Sequence, residues 1–176
     1  MSDTSLLDGK KILIVDDEPD VLEVLTELLD MCEVVTASTF EKAKELMESR
    51  SFDIAILDIM GVDGYGLLSI AKRRRIPAVM LTAHAFTPRN LVRTIREGGC
   101  AYIPKEEMSG IAGYLVDVLK AVASGNNPWD SWQKRLPTSY FEKRWGVAWA
   151  DADKEFWANF KASLKARRSG STDSDK

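Results

Sequence analysis

The chain has 176 residues, of which 45% are hydrophobic and 29% charged, and its formal net charge is −3. That length suits one domain of ordinary size with an appendage, and the composition is that of a globular chain able to bury a core. There is no run approaching the ~20 apolar residues that span a bilayer and no basic segment leading into a long apolar stretch at Met1 to Leu7; Cys32 and Cys100 stand far apart outside any CxxC spacing. The expectation is therefore a cytoplasmic protein with no membrane association and reduced thiols.

Lys11 to Val15 is a short β-branched apolar run that ends in three acids and a proline, the pattern of a buried parallel strand entering a loop. Val21, Leu22, Leu25, Leu28 and Leu29 recur at helical spacing after Pro19, and Glu33 to Thr36 forms a second strand. Ala43, Leu46 and Met47 mark a helix before a third strand at Ile54 to Leu57. Leu67, Leu68, Ile70 and Ala71 make the next helical stripe, followed by an apolar strand at Pro77 to Leu81. Leu91, Val92 and Ile95 form another stripe, which Gly98 and Gly99 terminate. A fifth strand at Cys100 to Ile103 precedes a helix carrying Ile111, Leu115, Val118, Leu119 and Val122. Five strand–helix alternations with short connections imply a parallel sheet covered by helices on both faces.

In such sheets chemistry collects at the carboxyl ends of the strands. Those ends carry Asp16, Asp17 and Glu18, then Asp58, then Thr82, and then Lys105. Crowded carboxylates raise one another's pKa unless a cation offsets them. An all-oxygen donor set without Cys or His favours a hard ion such as Mg2+. A carboxylate there can serve as a nucleophile toward phosphorus, with a metal and a lysine stabilising the transferring charge. His84, the only histidine, lies two residues past Thr82 and reads as a partly exposed loop residue, the alternative being a group that orders a water and tunes hydrolysis of an acyl phosphate. Gly61, Gly64 and Gly66 lack the spacing and context of a dinucleotide loop. A phosphatase of the haloacid-dehalogenase type would need an acid two residues after its nucleophile, where Met60 stands.

Ile14-Val-Asp-Asp-Glu-Pro19, Ile56-Leu-Asp-Ile-Met60, Leu81-Thr-Ala83 and Tyr102-Ile-Pro-Lys105 together resemble the receiver (CheY-like) domain of two-component response regulators, over roughly residues 9–124. The resemblance implies a flavodoxin-like, doubly wound sheet of five parallel strands and transfer of a phosphoryl group from a phosphohistidine of a sensor kinase or phosphotransfer protein. It makes Asp58 the phosphoacceptor, Asp17 a direct Mg2+ ligand, Asp16 a ligand through water, and Met60 the donor of a backbone carbonyl. Thr82 and Lys105 match the phosphate-contacting pair, and Tyr102 the aromatic whose rotamer reports phosphorylation. Two departures are visible. The segment from Asp58 to Gly64 is about two residues shorter than the usual loop, and Glu106 stands where a proline commonly follows the lysine.

All five tryptophans lie beyond residue 125, and Gly125-Asn-Asn-Pro128 reads as a linker. The expected division is a receiver over residues 1–124, an aromatic helical extension over 125–168, and a disordered tail over 169–176. Residues 1–124 carry 14 Lys+Arg against 20 Asp+Glu, whereas the rest carries 10 against 7. So small a positive excess is no signature of nucleic-acid binding. Helical patterns run from Pro128 to Arg135, from Pro137 to Trp145 and from Asp151 to Arg168, the last with Phe156, Trp157, Phe160 and Leu164 on one stripe. These aromatics are read either as a cap packed on the receiver or as a surface for a partner or a second copy. The expected output is through protein contacts; the alternatives are a transcription regulator whose extension touches DNA and a phosphorylation-independent adaptor.

Overall fold

The computed structural model describes the backbone of residues 4–173 and the side chains of residues 4–164. Five strands form one all-parallel sheet: β1 (Lys11–Val15), β2 (Glu33–Ala37), β3 (Ile54–Asp58), β4 (Ala78–Thr82) and β5 (Ala101–Pro104), in the spatial order β2-β1-β3-β4-β5. The interleaved helices are α1 (Pro19–Leu28), α2 (Phe40–Ser49), α3 (Gly64–Arg73), α4 (Pro88–Arg96) and α5 (Ile111–Ser124). This is the flavodoxin-like arrangement, and its strand order reverses between β1 and β3, the switch point at which such sheets bind ligands.

The hydrophobic pattern explains the layering. β3 and β4 are buried along their whole length, whereas β2 alternates partly exposed positions and lies at one edge. α1 packs against α5, and α2 packs against α3. Pro19 opens α1 and Pro88 opens α4, where the missing N–H costs no helical hydrogen bond. Thr39 and Thr87 cap α2 and α4 by accepting the N–H of Lys42 and Asn90. Strand boundaries differ by one residue from the sequence reading: β2 and β3 end one residue later, at Ala37 and Asp58, and β4 and β5 are each shifted by one, ending at Thr82 and Pro104. A proline fits there because β5 is the other edge of the sheet, where one strand side has no neighbour to receive an N–H.

The extension forms α6 (Pro128–Arg135), α7 (Thr138–Trp145), a short turn at Asp151–Asp153, and α8 (Lys154–Asp173). Gly125 adopts φ +71° at the end of α5 and turns the chain sharply, so that α6 packs back on α5 and covers β5. Trp129, Trp132, Leu136, Phe141, Trp157, Phe160 and Leu164 are buried and continuous with the receiver's core. Arg135 pairs with Asp117 and lies over the Tyr114 ring, and its guanidinium occupies the space that a Cβ at Gly113 would need. Of the tail expected over residues 169–176, the last three lie outside the described residues, and α8 runs to Asp173. Both cysteines are free thiols. Among the described residues no helix is long and apolar enough to cross a membrane.

Candidate functional site

The strand register assembles the carboxyl edge. Val15 pairs with Leu57, Asp58 with Leu81, and Thr82 with Pro104. The residues that end or follow these strands therefore converge, although they are up to 89 positions apart in sequence. Lys105 is the hub: its Nζ lies 2.9 Å from Asp16 Oδ2, 3.1 Å from Glu18 Oε1 and 3.3 Å from Asp58 Oδ1. Asp16 and Asp58 are buried, while Asp17 and Glu18 face solvent. Three carboxylates thus surround one ammonium, with Asp17 near two of them, and the site holds an excess of negative charge.

Backbone donors fix the two buried acids. Asp16 Oδ1 accepts the N–H of Glu18 at 2.9 Å, and Asp58 Oδ2 accepts the N–H of Gly61 at 3.1 Å. Burial pushes the Asp16 carboxyl above its ordinary value, against the lowering effect of Lys105 and of the Glu18 N–H. Burial alone would lower Lys105, but its contacts with Asp16 and Glu18 and the charge of Asp58 outweigh it and hold the ammonium well above the usual lysine range.

The shortened loop after β3 is closed by two glycines. A Cβ at Gly61 would overlap the Asp17 carboxylate, and a Cβ at Gly64 would overlap the backbone carbonyl of Asp58. Asp63 takes a left-handed conformation at φ 51° and accepts the N–H of Gly66, starting α3 immediately. Met60 projects its side chain into solvent. The Lys105–Glu106 peptide is trans, since no described peptide bond is cis.

The residues suited to a metal ion are partly those expected. Carboxylate oxygens of Asp16, Asp17 and Glu18 come within 4.8 Å of one another. Asp16 Oδ2 is buried and accepts no hydrogen bond, facing Lys105 only as an ion pair. A buried carboxylate oxygen with no partner but an ammonium, in an all-oxygen cluster with excess negative charge, fits a hard divalent cation. Glu18 stands among the strand-end acids, but the metal ligands expected from the resemblance are Asp16, Asp17, Asp58 and the Met60 carbonyl.

On the other side of Lys105, Thr82 is buried and its Oγ1 accepts the N–H of Ala85 at 3.0 Å. Tyr102 is fully buried; its hydroxyl donates to the carbonyl of Ala85 at 2.6 Å and accepts the N–H of Thr87 at 2.8 Å. His84 is exposed between them. Phe86, which no sequence pattern singles out, stacks on the Tyr102 ring with centroids 5.0 Å apart. Beyond it, a cleft of about 480 Å³ is walled by Thr82, Phe86, Lys105 and Glu106 of the receiver and by Arg144 and Trp145 of α7. Arg144 pairs with Glu106, which also accepts a hydrogen bond from Tyr140.

A doubly wound sheet of this order, with acids after β1, a buried Asp ending β3, a hydroxyl ending β4 and a Lys after β5, defines a receiver-type signalling domain. The chain belongs to the response regulator receiver domain family, whose model matches residues 12–111. It is 32% identical over 119 residues to the two-component response regulator ARR12 of Arabidopsis thaliana, a match covering 61% of this chain and 20% of that protein. It is 43% identical over 86 residues to the probable transcriptional regulator ycf27 of Guillardia theta, covering 46% of this chain and 34% of the relative. The chain therefore spans only a minor part of these curated relatives. Among solved structures, a putative response regulator from Chloroflexus aurantiacus superposes with a TM-score of 0.57 at 26% identity, covering 64% of this chain and 98% of that one. The receiver domain of the Francisella response regulator 1452 superposes with a TM-score of 0.58 at 21% identity, covering 65% and 99% respectively, and supports the fold alone.

Proposed function

We propose that this receiver accepts a phosphoryl group on Asp58 from a phosphohistidine of a sensor histidine kinase or a phosphotransfer protein, and passes the signal on through protein contacts. The observation that carries this reading is the placement of Lys105 Nζ 3.3 Å from Asp58 Oδ1, with the other Asp58 oxygen held by the Gly61 N–H. The acceptor is thereby fixed in one orientation beside a permanent cation. A carboxylate oxygen of Asp58 forms the new P–O bond as the donor's P–N bond breaks, and the electron pair leaves on the imidazole nitrogen. Lys105 offsets charge on the phosphoryl oxygens during transfer. The Thr82 hydroxyl, which accepts from Ala85 N–H, keeps its proton available for donation to the phosphoryl group.

Mg2+ would be held by Asp17 and Asp58, by Asp16 through water and by the Met60 carbonyl, with Glu18 close enough to join the cluster. When bound, it supplies Lewis-acid stabilisation of the transferring phosphoryl group. The buried Asp16 Oδ2, which meets only the Lys105 ammonium, supports this reading, as does Gly61, whose missing Cβ leaves room for the Asp17 carboxylate.

A DNA-binding output is favoured by the printed names of two relatives, both probable transcriptional regulators. Against it, the aromatic residues of the extension are turned into the receiver's core, and the extension's charge excess is small. The test of the main reading is incubation of the protein with acetyl phosphate and Mg2+, followed by intact-mass analysis beside Asp58→Asn. The expected result is a gain of about 80 Da, one phosphoryl group, in the parent alone. If neither acetyl phosphate nor a competent kinase labels the parent, the phosphoacceptor reading is wrong and the adaptor alternative takes its place.

A further inference from the structure

The loop after β4 is gripped from two sides. From the receiver, Thr82 Oγ1 holds the N–H of Ala85, and the Tyr102 hydroxyl holds the Ala85 carbonyl and the Thr87 N–H. From the extension, the indole N–H of Trp145 donates to the carbonyl of Phe86 at 3.1 Å. The Phe86 ring is enclosed between the two grips. It lies nearly parallel to Tyr102, at an interplanar angle of 8°, and its centroid is 4.9 Å from that of Trp145. Ala85 and Phe86 are adjacent, so a displacement at the Phe86 carbonyl is passed through one peptide unit to the group that orients the Thr82 hydroxyl.

We propose that Trp145 is a positioning residue of the phosphoryl site, acting through Phe86 and Ala85 to hold the Thr82 hydroxyl ready to receive a phosphoryl group on Asp58. This inference rests on the phosphoacceptor reading above. The docked extension keeps Tyr102 buried and the Ala85 N–H on Thr82, and that arrangement leaves the Thr82 proton free for a phosphoryl oxygen. Docking and phosphoryl binding therefore favour the same loop conformation. Equilibrium coupling is reciprocal, so a phosphoryl mimic must also tighten the contact at Trp145. The position of Trp145 makes this transmissible: it is the last residue of α7, only half-buried, and it walls the same cleft as Thr82 and Lys105.

The experiment uses the full chain with 15N-labelled indoles, as the parent, Trp145→Phe, Phe86→Leu and Asp58→Asn. Each is titrated with Mg2+ and then with beryllofluoride, a stable mimic of the phosphoryl group. Trp145→Phe keeps an aromatic ring while removing the N–H together with the five-membered ring that carries it, and it identifies the Trp145 resonance by its disappearance. The remaining indole signals, unmoved, report that the fold is intact. Three results are expected. In the parent, the Trp145 indole resonance shifts on beryllofluoride addition, and in Asp58→Asn it does not. Trp145→Phe binds beryllofluoride roughly 3- to 10-fold more weakly, the range for one lost hydrogen bond, with Mg2+ affinity unchanged. Phe86→Leu changes in the same direction, and it decides the matter if Trp145→Phe fails to fold. Unchanged or tighter beryllofluoride binding in the folded variants, or an indole resonance indifferent to beryllofluoride, would overturn the proposal. A parent that shows no Asp58-dependent binding would overturn the phosphoacceptor reading and this inference with it.

Discussion

Trp132 donates its indole N–H to the backbone carbonyl of Tyr102 at 2.8 Å. The free edge of β5 is thereby tied to the extension at the residue whose hydroxyl secures the loop after β4. One turn earlier Trp129 donates to the carbonyl of Gly99, in the turn that leads into β5, at 2.9 Å. An edge strand exposes unpaired backbone groups that invite pairing with other chains. Here two tryptophans satisfy carbonyls at that edge and cover it with rings packed 4.9 Å apart.

Replacing Trp132 with Phe keeps most of the buried ring and removes the hydrogen bond, leaving the Tyr102 carbonyl buried without its partner. The cost of such an orphan is about 1–3 kcal/mol. For a chain of this size the melting temperature should fall by about 3–10 °C, which thermal unfolding followed by circular dichroism would measure. An unchanged melting temperature would mean that water reaches the carbonyl.

Ending the chain after Ser124 uncovers Phe86, the edge of β5 and the face of α5 that carries Tyr114 and Asp117. The buried Trp129, Trp132, Phe141, Trp157 and Phe160 are lost with it. The shortened protein is expected to be markedly less stable to urea and to self-associate through the exposed apolar edge. Analytical ultracentrifugation of both lengths provides the check; a stable monomer of the short form would show that the receiver does not need this cover.

Gly61→Ala should act on metal binding and little on folding. The backbone there has no left-handed strain, but the new Cβ would fall on the Asp17 carboxylate. Displacing a ligand from its supported position typically weakens a metal about 10-fold. Calorimetric titration with Mg2+ would read this directly, alongside an unchanged denaturation midpoint. Equal Mg2+ affinity in parent and variant would remove Asp17 from the metal site.

The contact between Glu106 and α7 should weaken in acid. The hydrogen bond from Tyr140, and then the Arg144 guanidinium, hold the Glu106 carboxyl below its ordinary value of 4.5. A lowered value in the docked state means the unfolded or undocked chain binds the proton more tightly. The stabilising contribution is therefore complete above the ordinary value and is lost as pH falls through the lower docked one. Glu106 is exposed, so the effect is small and screened by salt. Comparing the acid-induced change in tryptophan fluorescence of the parent with that of Glu106→Gln isolates it. The variant should lack the component lying below about pH 4.5; identical profiles would assign the acid response to other groups.

Much of this protein was legible in order along the chain. Apolar runs of four or five residues alternating with helical stripes determined the parallel sheet, because right-handed crossovers leave few other ways to bury them. Strand ends are also local features, so Asp16, Asp17, Asp58, Thr82 and Lys105 are readable as one edge from the sequence. Proline openings and the helical stripes of the extension were equally local. What tertiary structure alone decided are relationships between residues without a shared period. Lys105 binds Glu18 as well as the two buried acids, and Gly61 yields its side-chain space to Asp17. Phe86 lies between Tyr102 and Trp145, and Arg144 meets Glu106. A sequence pattern reports which face of an element is apolar, but not which distant face it meets or in what register. For the extension, the same tryptophans fit a free interface or a docked cap; the choice was made by the turn at Gly125 and by the carbonyls that the edge of β5 leaves for indole N–H groups to fill.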